Sequence, residues 1–152
     1  METIQIEAFD MIGIAVKTTN QNAQAGQDIA ALWERFLGEG LLAQIPHKVD
    51  DTIYSLYTDY EGDYTQPYLA MLGCRVEKVE DVPEGMIAKQ FAGGKYAKFS
   101  ARGDLQQGLV VGKWQEIWQM DLNRAYTADF EVFGPKAMNP SDAEVDFMIA
   151  VK

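Results

Sequence analysis

The order strand, helix, strand, strand occurs twice in this sequence of 152 residues, and this repetition limits the possible folds more than any other feature. In the first half, alternating apolar and β-branched residues predict strands at 7–18, 52–60 and 68–76. Between the first two strands, apolar residues spaced three and four apart predict an amphipathic helix, carried by Ile29, Leu32, Trp33, Phe36 and Leu37.

The second half repeats this order after an acidic connection at 77–85. Strands are predicted at 86–101, 129–133 and 144–151, and a helix is predicted at 104–122. Asp104, followed three residues later by Gln107, is typical of a helix N-terminal capping box.

Residue spacings support an internal duplication. In the first strand and helix, the interval from Gly13 to Gly94 equals the interval from Trp33 to Trp114. In the hairpins, a slightly shorter interval is shared by two further pairs, namely Tyr57 with Phe133 and Met71 with Phe147. Because each half alone would leave an apolar sheet face uncovered, we predict one α+β domain over 1–152, with halves at about 1–78 and 85–152 and a central cleft where they meet.

One carboxylate breaks this duplication. Strand alternation places Glu131 on the same face as Phe133, and the hairpin interval matches Glu131 with Ser55, so the repeated architecture does not require an acid there. In the preceding helix, Trp114 and Trp118 share an apolar stripe. Taken alone, these residues also fit a solvent-facing glutamate paired with a basic side chain and tryptophans that only pack the core.

Composition excludes several classes of function. The formal net charge of −10 disfavours binding to nucleic acid or to an anionic membrane surface. The first residues lack the features of a secretory signal, and no apolar run reaches the roughly 18 residues of a membrane-spanning helix, so a cytoplasmic protein is predicted. Cys74 and His47 are each the only residue of their type, so neither a disulfide, a metal site nor a cofactor is predicted.

Several segments together resemble a known family: the run Gly94-Lys95-Tyr96-Ala97-Lys98-Phe99, the tryptophan-bearing helix, the strand Asp129-Phe130-Glu131-Val132-Phe133 and the closing Ile149-Ala150-Val151. They resemble the gyrase-inhibitor-like, or AraC-type effector-binding, domain, and within it the stand-alone integron-cassette effector-binding proteins. The resemblance implies eight antiparallel strands with two main helices, and a pocket for lipophilic cations that contains a glutamate at the position of Glu131. The sequence shows no helix-turn-helix segment, so direct binding to DNA is not expected.

Together these observations predict a protein that senses or sequesters small aromatic cations. Glu131 is the expected counter-charge, and the expected ring walls are Trp114, Trp118, Tyr57 and Phe133; no residue is assigned a catalytic role. One alternative is a hydrolase of electrophilic small molecules that pairs Glu131 with Tyr57 or Tyr96. Another is a protein-interaction inhibitor of a topoisomerase, in which the acidic stretch 77–84 imitates DNA. A partner among transcription regulators or other proteins stays open.

Overall fold

The apolar runs of the sequence form one antiparallel sheet of eight strands in a computed structural model that describes residues 2–152. The strands are β1 (Glu2–Ile6), β2 (Phe9–Thr18), β3 (Ile53–Thr58), β4 (Tyr68–Val76), β5 (Ile87–Phe91), β6 (Gly94–Gly103), β7 (Ala128–Phe133) and β8 (Ala143–Ala150). The helices are α1 (Gln24–Gly38), the single turn α2 (Leu41–Gln44) and α3 (Leu109–Trp118). The predicted α+β class with eight strands and two main helices is confirmed.

The halves of the chain meet in the middle of the sheet. The strand order is β1-β6-β8-β7-β3-β4-β2-β5, and at the central pair of β7 with β3 Glu131 lies opposite Ser55. The first strand of each half pairs with the other half: β1 pairs with β6, and β5 pairs with β2. This exchange of edge strands ties the halves together.

The exchange corrects the predicted spacing of the duplication. The interval from the start of β1 to the start of β5 equals the interval from the start of α1 to the start of α3. This shared interval is four residues longer than the interval from Gly13 to Gly94. Four residues are about one turn of a helix, so the predicted and the observed equivalent residues lie on the same helix face. With the correct spacing Trp33 corresponds to Trp118, not to Trp114.

Two element predictions were also wrong. The predicted strand at 86–101 is two strands, because the chain turns sharply at Gly93, whose φ is +77° and where a Cβ would lie 2.2 Å from the Ile6 carbonyl oxygen. The predicted helix at 104–122 is shorter. Asp104 instead caps a 3-10 turn by accepting from the Gln106 backbone N–H (2.9 Å), and α3 begins only after Gly108, whose φ is +75°.

The sheet is strongly curved and has a core on each face. Phe9 of β2 lies three strand positions from Phe130 of β7, yet their ring centroids are only 5.6 Å apart, so the face away from the helices closes on itself. The directly opposed Gly13 and Gly73 allow β2 and β4 to approach closely, since a Cβ on either would lie about 2 Å from a backbone oxygen. The other face packs against α1 and α3. None of the helices within 2–152 is long and apolar enough to cross a membrane.

Candidate functional site

Glu131 lies in the interior of the sheet under α3. Its strand, β7, is paired on both sides, so Glu131 is opposite Ser55 on β3 and Phe147 on β8. Its side chain points to the helix face, as strand alternation predicts, and only 2% of the residue is exposed. The carboxylate is therefore enclosed by the protein.

Neutral donors hold this carboxylate. The Tyr57 hydroxyl donates to Oε2, and the indole Nε1 of Trp114 donates to the same oxygen at 3.0 Å. The Ser55 hydroxyl lies 3.1 Å from the Tyr57 hydroxyl and extends the chain of hydrogen bonds. Within residues 2–152, Oε1 takes part in no hydrogen bond, and Glu131 forms no ion pair with a basic side chain. Glu131 is thus a buried acid without a counter-charge.

Burial changes the protonation of this pair. It raises the pKa of Glu131 to about 7, and the hydrogen bonds from Tyr57 and Trp114 offset only part of that effect. Burial, together with the nearby Glu131 charge, raises the pKa of Tyr57 well above its usual value, so the phenol keeps its proton. Near neutral pH, about half of the Glu131 carboxyl groups are ionised.

Aromatic rings surround the acid. The ring of Tyr57 stands nearly perpendicular to those of Trp114 and Tyr68, with centroids 5.6 and 5.8 Å away. On its other side Trp114 contacts Phe147, at 5.8 Å between centroids. Such edge-to-face contacts are a favourable arrangement of aromatic rings. Tyr57 and Trp114 are therefore both hydrogen-bond donors to Glu131 and walls around it.

The other two predicted walls lie further from the acid. Trp118 is one turn along α3 from Trp114, 6.5 Å away between ring centroids, and it stacks on Tyr64 at 5.4 Å. Phe133 shares the face of Glu131 but contacts Trp33 of α1, at 5.0 Å. Of the two tyrosines considered as partners of Glu131, only Tyr57 reaches it. The Tyr96 hydroxyl donates to the Ala128 carbonyl oxygen at 2.9 Å and packs in the core on the opposite face.

A second buried acid, Asp129, was not predicted as part of the site. Arg124 Nη2 donates to Asp129 Oδ2 at 2.7 Å, and the two side chains are only 7% and 0% exposed. Asp129 also accepts from the Tyr60 hydroxyl (2.6 Å) and from the Ala150 backbone N–H (2.7 Å). Strand alternation, which places Asp129 on the face of Glu131, was the signal that could have found it. Arg124 lies in a loop with no periodic pattern to indicate its position.

Of two surface depressions, one borders the aromatic residues around the buried acids and the other does not. One, of about 240 Å³, lies at the end of α3; its lining includes Tyr64, Trp118, Arg124 and Tyr126. The other, of about 440 Å³, is lined by Val79, Ala88, Lys89 and Gln90, none of which belongs to the aromatic cluster. Of the two, only the smaller depression borders the aromatic residues around the acids, through Trp118 and Arg124; neither Trp114 nor Glu131 lines it.

Away from these acids, one group of side chains within residues 2–152 offers atoms that could bind a metal ion. His47, Glu80 and Asp81 have such atoms within 4.8 Å of one another, and His47 Nε2 lies 3.1 Å from Asp81 Oδ2. Both acids are exposed, so the group provides no enclosed cage for an ion.

Comparisons with known proteins agree with this architecture. Residues 2–151 match the model of a family described as "Integron-associated effector binding protein". An integron cassette protein from Vibrio cholerae, VCH_CASS2, is 31% identical and superposes with a TM-score of 0.75, over 99% of this chain and 95% of that one. The structure of SAV2435 bound to tetraphenylphosphonium is 23% identical, with a TM-score of 0.81 over 99% and 93% of the two chains. YobU of Bacillus subtilis (strain 168), whose name proposes a role in transcriptional regulation, is 27% identical over 92% of this chain and 90% of its own length.

Proposed function

Because the chain belongs to the family of integron-associated effector binding proteins, we propose that it binds lipophilic organic cations that carry aromatic groups, and that Glu131 supplies their counter-charge. Binding of this kind serves to sense or to sequester the compound.

The observation that carries this proposal is the buried carboxylate of Glu131, which is held only by neutral donors. An ionised carboxylate without a counter-charge is unfavourable inside a protein, and a bound cation relieves that cost. Its second oxygen makes no hydrogen bond within residues 2–152 and is available to the ligand. The buried acid thus favours the binding of a cation rather than the stability of the fold.

The surrounding rings define the rest of the ligand. A cation held against the face of an aromatic ring gains about 0.5–2 kcal/mol, and the ring area adds a hydrophobic contribution. In this proposal Tyr57 and Trp114 contact the charged centre of the ligand, and Trp118 and Phe133 contact its apolar substituents. Bulky, flat or multi-ring cations fit these contacts better than small polar amines. The structural neighbour SAV2435 was solved with a ligand of this class, tetraphenylphosphonium.

The test is a titration of the protein with tetraphenylphosphonium, followed by tryptophan fluorescence and by calorimetry. We expect Glu131→Gln to weaken binding at least tenfold while circular dichroism stays that of a folded protein. Glu116→Gln is the matched control, because Glu116 is an exposed acid on α3 that pairs with Lys113. Equal affinities for Glu131→Gln and the unmodified protein would reject the role of Glu131.

The hydrogen bond between Tyr57 and Glu131 favours one second candidate, a hydrolase of electrophilic small molecules. In that reaction Glu131 accepts a proton from the attacking water, and Tyr57 gives its proton to the leaving atom. Multiple turnovers that disappear in both Glu131→Gln and Tyr57→Phe would support the hydrolase. Stoichiometric binding without product identifies the protein as a binder only.

A further inference from the structure

The buried guanidinium of Arg124 lies inside an aromatic cage. Its Cζ is 4.4 Å from the ring centroid of Tyr126 and 5.9 Å from those of Tyr64 and Trp114. The carboxylate of Asp129 closes the cage at 2.7 Å from Nη2. An acid and ring faces around an organic cation are the elements that recognise a cationic ligand. Here the cation belongs to the chain itself.

Hydrogen bonding of this guanidinium is incomplete. Of its three nitrogens only Nη2 has a partner, whereas Nε and Nη1 are buried without an acceptor within residues 2–152. Buried donors without partners are rare and unfavourable. Arg124 is therefore held less well than its burial suggests.

The surroundings permit Arg124 to leave without unfolding the loop. Its backbone forms a β-bridge with Val151, and the next residue, Ala125, donates to the Ala150 carbonyl oxygen at 2.9 Å. Asp129 keeps two neutral donors, the Tyr60 hydroxyl and the Ala150 N–H, after the guanidinium departs. A rotation of one side chain thus exposes a cage that is already built.

The cage is connected to the site of Glu131. Trp114 donates its indole N–H to Glu131 and presents its ring to Arg124, so it forms the wall between the two acids. Asp129 and Glu131 are two residues apart on one strand face, about 7 Å along the strand. Arg124 also lines the 240 Å³ depression, so a ligand that enters there meets Arg124 before it reaches Trp114.

We propose that Asp129 and its aromatic cage form a second cation subsite, which Arg124 fills in the unliganded protein and which a lipophilic cation occupies by displacing it. This inference rests on the proposed binding of cations at Glu131. It adds that the Arg124 side chain competes with the ligand for the cage. Arg124 then selects for ligands that are large enough to contact both subsites.

The test compares Arg124→Gln with the unmodified protein and with the double variant Arg124→Gln/Asp129→Asn. We expect Arg124→Gln to bind tetraphenylphosphonium about tenfold more tightly. We also expect millimolar methylguanidinium, at constant ionic strength, to raise its melting temperature in a saturable way. The double variant has an empty cage without the acid, so it should lose the response to methylguanidinium. The unmodified protein should show no response to methylguanidinium, because Arg124 fills its cage.

A measurement on the unmodified protein keeps the test independent of how well Arg124→Gln folds. With ¹⁵N-labelled arginine, the Nε–H of Arg124 should be protected from exchange with water, and tetraphenylphosphonium should abolish that protection. The exposed Arg35 supplies the unprotected reference signal.

The outcomes separate the two proposals. Failure of tetraphenylphosphonium to bind either the unmodified protein or Arg124→Gln would reject cation binding as a whole. A different result would overturn the second subsite alone. In that case binding depends on Glu131, but the ligand leaves the Arg124 signal unchanged and methylguanidinium does not raise the melting temperature of Arg124→Gln.

Discussion

The affinity for a permanently charged cation should depend on pH in a manner set by Glu131. Tetraphenylphosphonium does not titrate, so any pH dependence belongs to the protein. Burial raises the pKa of Glu131 to about 7, so about 90% of this carboxyl is ionised at pH 8 and about 1% at pH 5. If only the ionised form binds the cation, the apparent Kd varies inversely with that fraction.

The expected change is large enough to measure. The Kd should rise about tenfold for each pH unit below 7, which amounts to about a hundredfold between pH 8 and pH 5. Binding should also release about one proton at pH 5 and almost none at pH 8, because the bound cation lowers the carboxyl pKa. Calorimetry in two buffers with different ionisation enthalpies measures both quantities.

Two variants serve as controls. Glu131→Gln should bind weakly and with no dependence on pH between 5 and 8. His47→Asn removes the only histidine and should leave the profile unchanged. A Kd that stays constant from pH 8 to pH 5 in the unmodified protein, or a profile that follows His47, would refute the assignment.

Three further predictions concern the same residues and the sheet that holds them. Folding raises the pKa of Glu131 from 4.5 to about 7, so its contribution to stability is full below pH 4.5 and is lost as the pH rises to 7. The free energy of unfolding, measured with urea, should therefore decrease by about 3 kcal/mol over this range, and Glu131→Gln should lack this decrease. Tyr57→Phe removes a donor that lowers the Glu131 pKa, so the midpoint of the affinity profile should move above pH 7, whereas Ser55→Ala, which keeps the Tyr57 hydroxyl, should shift it less. Gly73→Ala places a Cβ 2.2 Å from the Ile12 carbonyl oxygen and should destabilise the protein by about 3 kcal/mol in thermal unfolding, while Gly26→Ala, in an open position on α1, should not destabilise it.

Local patterns were sufficient for much of the fold. The stripe of Trp114 and Trp118 and the shared strand face of Glu131 and Phe133 follow from periods of 3.6 and 2, which depend only on neighbouring residues. Glu131 and Ser55, matched by the hairpin interval, lie opposite each other at the centre of the sheet. The match of Met71 with Phe147 was wrong, because Met71 packs in the core away from the helices and Phe147 packs in the core under α3. The residues themselves predicted only six strands, and the count of eight came from the family resemblance.

Tertiary structure decided what the local patterns could not. The edge strands β1 and β5 are short, and each pairs with the other half of the chain, so their pairing depends on residues that are distant in the sequence. The contacts of Tyr57 and Trp114 with Glu131 depend on pairing between β3 and β7 and on the packing of α3 across that pair. The position of Arg124 depends on a loop that is held by a bridge to Val151, the residue after β8. The sequence alone thus determined which side chains share a face, and the long-range pairing of strands determined which of them meet.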